Sequence, residues 1–272
     1  MTGPRLSVSA LSSVRWSFDQ DVKLWSELGL RWAGLMSAKL GDQIEARFDQ
    51  LSEAGIKAST VVARRFDLAD ADSWEANRRY LHRLIDTVAD HGGWSVYLTP
   101  GRTTGAVWDD VLETFVRAIT PSVEYARGRG VRLAIEPTAR VDVSFINNTR
   151  DAVDVAERTG IGLVADLCNS WMERDLEALL LRAAPYIALV QAADVAMGTI
   201  TSPDEPDPNG RVPYGEGDLP LARLLGYIKE TGYVGPVELE LIGPLGEREG
   251  YEPVIRRGVA AADRLHAAAG IE

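Results

Sequence analysis

Apolar positions along the chain fall into two alternating patterns. Short apolar or β-branched runs occur at Leu6–Ala10, Trp32–Leu35, Ala58–Ala63, Ser95–Leu98, Arg132–Glu136, Gly162–Asp166, Ile187–Gln191 and Val237–Leu241. Such runs read as strands. Between them apolar residues recur at helical spacing. The clearest stripe is Leu221, Leu224, Leu225 and Ile228, at i, i+3, i+4 and i+7. Asp218 is its predicted N-cap, with Pro220 in the first turn and Gly232 as the stop. Val111, Leu112, Phe115, Val116 and Ile119 form a second stripe, and Pro121, inside the same pattern, is predicted to kink or break that helix. A glycine precedes an apolar residue at Gly55-Ile56, Gly130-Val131, Gly160-Ile161 and Gly232-Tyr233. That punctuation suits helix ends, which favour a left-handed residue.

Eight strands alternating with helices predict a parallel sheet. Dividing 272 residues by eight gives about 34 per unit, which matches a (β/α)8 TIM barrel. With no linker or composition shift, residues 1–272 are expected to form a single domain. A doubly wound open sheet is the alternative, but no Gly-rich phosphate loop follows the first strand. The longest stretch without periodicity, Val195–Gly217, contains SPDEPDPNGRVPYGEG. In a barrel it would follow the seventh strand and lie over the C-terminal face, where active sites occur.

Composition narrows the chemistry. The chain is 46% hydrophobic and carries 40 acids against 29 bases, a formal charge of −11. With no basic cluster, nucleic acid and anionic membrane are not expected partners, and a small molecule is. Lone Cys168 excludes a disulfide framework and a cysteine-rich zinc site. There is no signal-like apolar segment and no run of about 18 apolar residues, so a cytoplasmic location is expected. The three histidines are His82, His91 and His266. A metal site or base elsewhere must therefore come from carboxylates and amides.

Three predicted strands end in an acid: Glu136 in RLAIEPT, Asp166 in GLVADLCNSW and Glu240 in PVELELIG. One such acid alone reads as a helix N-cap or a loop salt bridge. Three on late strands of a barrel would converge on one rim, where their repulsion calls for a proton or a cation. Oxygen ligands favour Mg²⁺ or Mn²⁺ over Zn²⁺.

From about Leu6 to the C-terminal helix the chain resembles the xylose isomerase-like barrels, the sugar phosphate isomerase/epimerase group. GVRLAIEP at 130–137, LVADLCNSW at 163–171, RVPYGEGDL at 211–219 and GYVGPVELE at 232–240 carry the resemblance. It implies one divalent cation, Mn²⁺ or Mg²⁺, held by Glu136, Asp166, Gln191 and Glu240. Gln191 stands where the family has a histidine, in QAAD rather than His-x-Lys-Asp, and Asn169 stands where another family histidine is usual. In one reading the Gln191 carbonyl still binds metal and Asn169 still bonds a substrate hydroxyl. In the other the metal is lost and the barrel binds sugar without catalysis, or works by metal-free chemistry. Neither amide can shuttle a proton. The resemblance further implies isomerisation or epimerisation of a sugar or polyol-like substrate by proton abstraction next to a carbonyl, with Glu136 and Glu240 as the acid/base pair. The lyase alternative, a dehydratase or a 3-oxo-glycoside deglycosidase, uses the same constellation. Barrels of this group often form dimers or tetramers, so a homo-oligomer is among the expectations. The related nucleases use a zinc cluster held by several histidines, which these strands lack.

Other residues have two readings each. Arg211 is expected to reach a substrate oxygen or to meet a nearby acid. Trp16, Trp108 and Trp171 follow predicted strands and would wall the substrate site or pack loops. Glu238 shares parity with Glu240, so both should point inward, and an unpaired buried acid is costly. An arginine in the lower layers is its expected partner. Cys168 reads as a packed thiol, His82 as a helix residue facing solvent or a neighbouring helix, and His91 as a cation suited to a helix end.

Overall fold

The computed structural model describes residues 2–102, 105–197 and 210–271. Eight strands close into a parallel barrel: β1 (Leu6–Ser9), β2 (Trp32–Met36), β3 (Lys57–Val62), β4 (Ser95–Leu98), β5 (Arg132–Ile135), β6 (Gly162–Asp166), β7 (Ile187–Ala192) and β10 (Val237–Leu239). The order round the barrel follows the chain, and β10 pairs with β1 through Leu6↔Val237 to close it. Every predicted strand is present, with ends within two residues of those expected. Helices between the strands bury their predicted stripes. Leu221, Leu224, Leu225 and Ile228 all face the core from the helix Leu221–Glu230. Gly55, Gly130, Gly160 and Gly232 take φ of 73°, 70°, 72° and 71°, the left-handed values expected at those joints.

Two expectations about helices are corrected. Of the kink or break expected at Pro121, the break does not occur: the helix Trp108–Gly128 runs through it. Proline removes the N–H that would bond the Arg117 carbonyl, and Arg78 of the neighbouring helix replaces it, donating Nη2 to that carbonyl at 3.5 Å and Nε to Ala118 O at 3.1 Å. Asp218 is not a cap either. The helix starts at Leu221 with Pro220 as the flanking residue, and the Asp218 carboxylate accepts the Met197 N–H at 2.9 Å.

The aperiodic stretch after β7 is structured at both ends. β8 (Asp194–Val195) and β9 (Arg211–Val212) pair antiparallel, with Val195 opposite Arg211. Asp194 fastens the returning chain, since its Oδ1 accepts the Leu219 N–H and its Oδ2 the Gly215 N–H, each at 2.9 Å. Residues 198–209, within the loop read as 195–217, lie outside the described residues. The hairpin thus brings Arg211 back over the C-terminal ends of β6, β7 and β10. Among the described residues no helix is long and apolar enough to cross a membrane.

Candidate active site at the strand ends

Asp166 closes β6 and is 2% exposed. Its Oδ1 accepts the Cys168 N–H at 2.9 Å, capping the one-turn helix Leu167–Ser170. That bond fixes the carboxylate, and Oδ2 accepts from Asn169 Nδ2 at 2.8 Å and Arg211 Nη2 at 2.6 Å. Glu240, one residue beyond β10, is 1% exposed. Its Oε2 accepts from Arg211 Nη1 at 2.6 Å, and its Oε1 from Gln191 Nε2 at 2.8 Å and Ser9 Oγ at 3.3 Å. Half-buried Glu136, just past β5, accepts from Asn169 Nδ2 at 3.4 Å. Carboxylate oxygens of Glu136, Asp166 and Glu240 lie within 4.8 Å of one another.

Arg211 therefore meets acids, and meets two at once. Its guanidinium bridges Asp166 and Glu240 while being 5% exposed. Burial alone would lower its pKa, but the surrounding acids, Asp166 foremost, outweigh that and hold it protonated.

Beneath this layer sits a second buried acid. Glu238 pairs in register with Gln191 and is fully buried. The expected lower-layer arginine is not its partner. Glu238 Oε2 accepts from Ser59 Oγ at 2.9 Å and Ser7 Oγ at 3.3 Å, and its Oε1 accepts from Gln191 Nε2 at 3.0 Å. Hydroxyls from β1 and β3 do the work assigned to a cation, and room for the carboxylate comes from Gly34 on β2, where a Cβ would overlap Glu238 Oε2. Gln191 Nε2 also reaches the Tyr97 hydroxyl at 3.3 Å. With its nitrogen engaged by acids, Gln191 is left with Oε1 buried and without a partner.

Burial and mutual repulsion set the protonation of the cluster. Burial first, then the Glu240 and Asp166 charges, push Glu136 well above the usual carboxylate range. Burial raises Glu240 to about 8, with Arg211 pulling it down and Asp166 pushing it up. Burial also raises Glu238. Four acids against one guanidinium leave a surplus of negative charge. Either protons or a cation must balance it.

The residues fit a divalent cation. Three carboxylates converge within bridging distance, and Gln191 Oε1 is a buried acceptor with no donor. Arg211 engages one oxygen each of Asp166 and Glu240, and Asp166 Oδ1 and Glu240 Oε2, which accept one bond each, keep a second lone pair. A cavity of about 290 Å³ opens over the cluster, lined by Glu136, Asn169, Arg211, Glu240, Tyr97 and Thr99 among others. A larger groove, about 630 Å³, runs between Leu221–Glu230 and the last helix, and none of the three acids lines it.

The model of the xylose isomerase-like TIM barrel family matches residues 22–261. The chain belongs to that family. Within it, an inosose isomerase of Halalkalibacterium halodurans is 27% identical over 141 residues, 50% of this chain and 48% of that protein, so the likeness spans about half of the relative. The fold is similar to that of the IolI protein with a bound zinc atom, at a TM-score of 0.81 and 18% identity, over 97% of this chain and 98% of that one. It is also similar to D-psicose 3-epimerase with D-tagatose from Clostridium cellulolyticum H10, at a TM-score of 0.72 and 16% identity, over 97% and 96%. At these identities the structural likeness is one of fold.

Some expected residues lie elsewhere. Trp16 packs edge-on against Tyr251 at 5.7 Å and Trp108 against Phe145 at 6.1 Å; neither lines the cavity over the acids. Trp171 packs against the core. Cys168 is a buried thiol donating to Ala193 O, pushed up to about 12 by burial. His82 faces the neighbouring helix, stacked on Tyr125 at 3.9 Å and bonded to Ser122. His91 ends its helix, with Nε2 3.1 Å from Asp49. The serine partners of the two buried glutamates, Ser7, Ser9 and Ser59, had no sequence signal beyond sitting on strands.

Proposed function

We propose that this chain is a metal-dependent sugar isomerase or epimerase that moves a proton next to a carbonyl, with Glu136 and Glu240 as its acid/base pair. The convergence of Glu136, Asp166 and Glu240 within 4.8 Å carries the reading. Membership of the xylose isomerase-like family and the partial likeness to an inosose isomerase support it. Glu136, Asp166, Gln191 and Glu240 would hold the cation. An all-oxygen set favours Mn²⁺ or Mg²⁺. Bound there, the cation would polarise a substrate carbonyl and stabilise charge developing on its oxygen.

The chain's own residues supply the rest. Glu136 and Glu240 both line the cavity, one from the end of β5 and one from the end of β10. Burial holds both carboxyls toward the protonated form, and Glu240, at about 8, can hold and release a proton near neutral pH. Arg211 fixes Oε2 of Glu240, and Asn169 links Glu136 to Asp166. Asn169 and Arg211, which also line the cavity, would bond substrate oxygens.

Solvent deuterium exchange tests the reading. The protein, supplied with Mn²⁺ or Mg²⁺, is incubated with ketoses and 3-oxo-sugars in D₂O and followed by NMR. Deuterium at carbon next to a carbonyl, lost in Glu136→Gln and Glu240→Gln, is expected. Loss of water or of a glycosidic leaving group in the same spectra would assign the lyase reaction instead. No exchange with any substrate would refute proton transfer.

A further inference from the structure

Beside the strand-end acids lies a buried ion pair that the proposed chemistry does not use. Asp21 sits in the first turn of the helix Phe18–Glu27, and Lys39 in the one-turn helix Ser37–Leu40 that follows β2. Their side chains are 1% and 8% exposed and meet at 2.6 Å. Lys39 Nζ also donates to the Ala10 carbonyl at 3.1 Å and to the Ser13 carbonyl at 2.8 Å. Asp21 Oδ1 accepts from Ser13 Oγ at 2.6 Å. The pair's remaining bonds thus converge on one segment, the 3₁₀ turn Ala10–Ser13 that follows β1. Neither Asp21 nor Lys39 lines the cavity over the acids.

The same turn fastens the end of β10. Ser9 Oγ, at its start, donates to Glu240 Oε1 at 3.3 Å, and Ser12 Oγ accepts the Leu241 N–H at 2.9 Å. One turn therefore holds both the Glu240 carboxylate and the backbone just after it. Stability is a poor account of the two charges. Despite their mutual attraction, burial raises Asp21 to about 6 and lowers Lys39. Apolar side chains of similar volume are often as stable as such a pair, or more so. The turn's carbonyls also have donors of their own: the Trp16 N–H bonds Ser13 O at 2.8 Å, and Ser13 Oγ lies 3.4 Å from Ala10 O. What the ion pair adds is a tie from the turn to the two helices. We infer that Asp21 and Lys39 are positioning residues for Glu240, acting through the turn Ala10–Ser13. The inference rests on the reading of Glu240 as a cation ligand and base.

Replacing both charges with apolar side chains separates position from stability. The melting temperature of Asp21→Leu/Lys39→Met is expected within about 4 °C of wild type, or above it. Two other quantities should move. Exchange of the Leu241 amide, followed by NMR in metal-free protein, should become about tenfold faster, and Mn²⁺ affinity, read by electron paramagnetic resonance, about tenfold weaker. Ser12→Ala cuts the link between turn and β10 and should weaken Mn²⁺ binding too. Added to the pair replacement, it should change affinity by less than about twofold further, because both act by one route. Asp21→Asn/Lys39→Met, milder in shape, is read in the same way if the first variant does not fold. With Mn²⁺ bound by wild type, unchanged Mn²⁺ affinity, an unchanged Leu241 amide or fully additive effects would overturn the positioning role and leave the cation reading standing. No Mn²⁺ binding by wild type would instead refute the cation reading. The Leu241 amide then decides alone: faster exchange in the variant upholds the tie to β10, and unchanged exchange overturns it.

Discussion

Arg211→Met removes the one cation that, among the described residues, the fold places among buried Asp166, Glu238 and Glu240 and half-buried Glu136. The guanidinium makes two 2.6 Å bonds, to Asp166 and Glu240, and all three side chains are nearly inaccessible to solvent. Deleting one partner of a buried ion pair costs about 3–5 kcal/mol, because the other is left uncompensated. Here two carboxylates are stranded, but Glu240, already at about 8, can take up a proton and limit the loss. The expected loss for metal-free protein at neutral pH is therefore about 3–5 kcal/mol rather than twice that. For a chain of this size each kcal/mol lowers the melting temperature by about 2–4 °C, so the drop is about 6–20 °C. Urea unfolding followed by far-UV circular dichroism measures it. Saturating Mn²⁺ should recover part of the loss, by about 2.7 kcal/mol at a hundredfold excess over Kd. A metal-free loss below about 1 kcal/mol would refute the claim that Arg211 is the resident counter-charge of the cluster.

Three further outcomes follow. Gly34→Ala puts a methyl group onto Glu238 Oε2 and should cost about 1–3 kcal/mol in urea unfolding, whereas an unchanged midpoint would show that the carboxylate is free to move. Glu238→Ala removes the acceptor that holds Gln191 Nε2 and should weaken Mn²⁺ binding, read by electron paramagnetic resonance, about 10–100-fold; Glu238→Gln, which keeps an acceptor, should stay within a few-fold of wild type. His266 is buried with Nε2 unpartnered, and burial holds its imidazole down to about 4. The unfolded chain protonates first as pH falls below about 6.5, so this residue's contribution is complete above that value and is lost between about 6.5 and 4. Relative to wild type, His266→Leu should gain about 2.5 kcal/mol between pH 7.5 and pH 4.5, and a pH-independent difference would contradict the assignment.

The barrel was legible because its period is written into the chain. Eight apolar runs, four left-handed glycines and stripes such as Leu221–Ile228 each report a local rule. The three acids were legible for the same reason: each sits where a strand meets the C-terminal rim. What was hidden depends on neighbours distant in sequence. Arg211 reaches Asp166 and Glu240 only because two-residue strands, Asp194–Val195 and Arg211–Val212, pair across an aperiodic stretch. No periodicity marks strands so short. Pro121 keeps its helix because Arg78, on another helix, supplies the missing donors. Glu238 was given an arginine by charge reasoning alone, but Ser7 and Ser59 on adjoining strands and the Gln191 amide satisfy it. Gln191 and the Glu238 below it make one arrangement: the acid binds the amide nitrogen and leaves the oxygen unpartnered.

The central claim is that Glu136, Asp166, Gln191 and Glu240 hold one divalent cation. Elemental analysis of the protein, reconstituted with Mn²⁺ or Mg²⁺ and freed of excess metal, tests it most directly. One ion per chain is expected for wild type, and none for Glu240→Gln or Asp166→Asn that remain folded by circular dichroism. A folded wild type that retains no metal, or variants that retain it fully, would contradict the account.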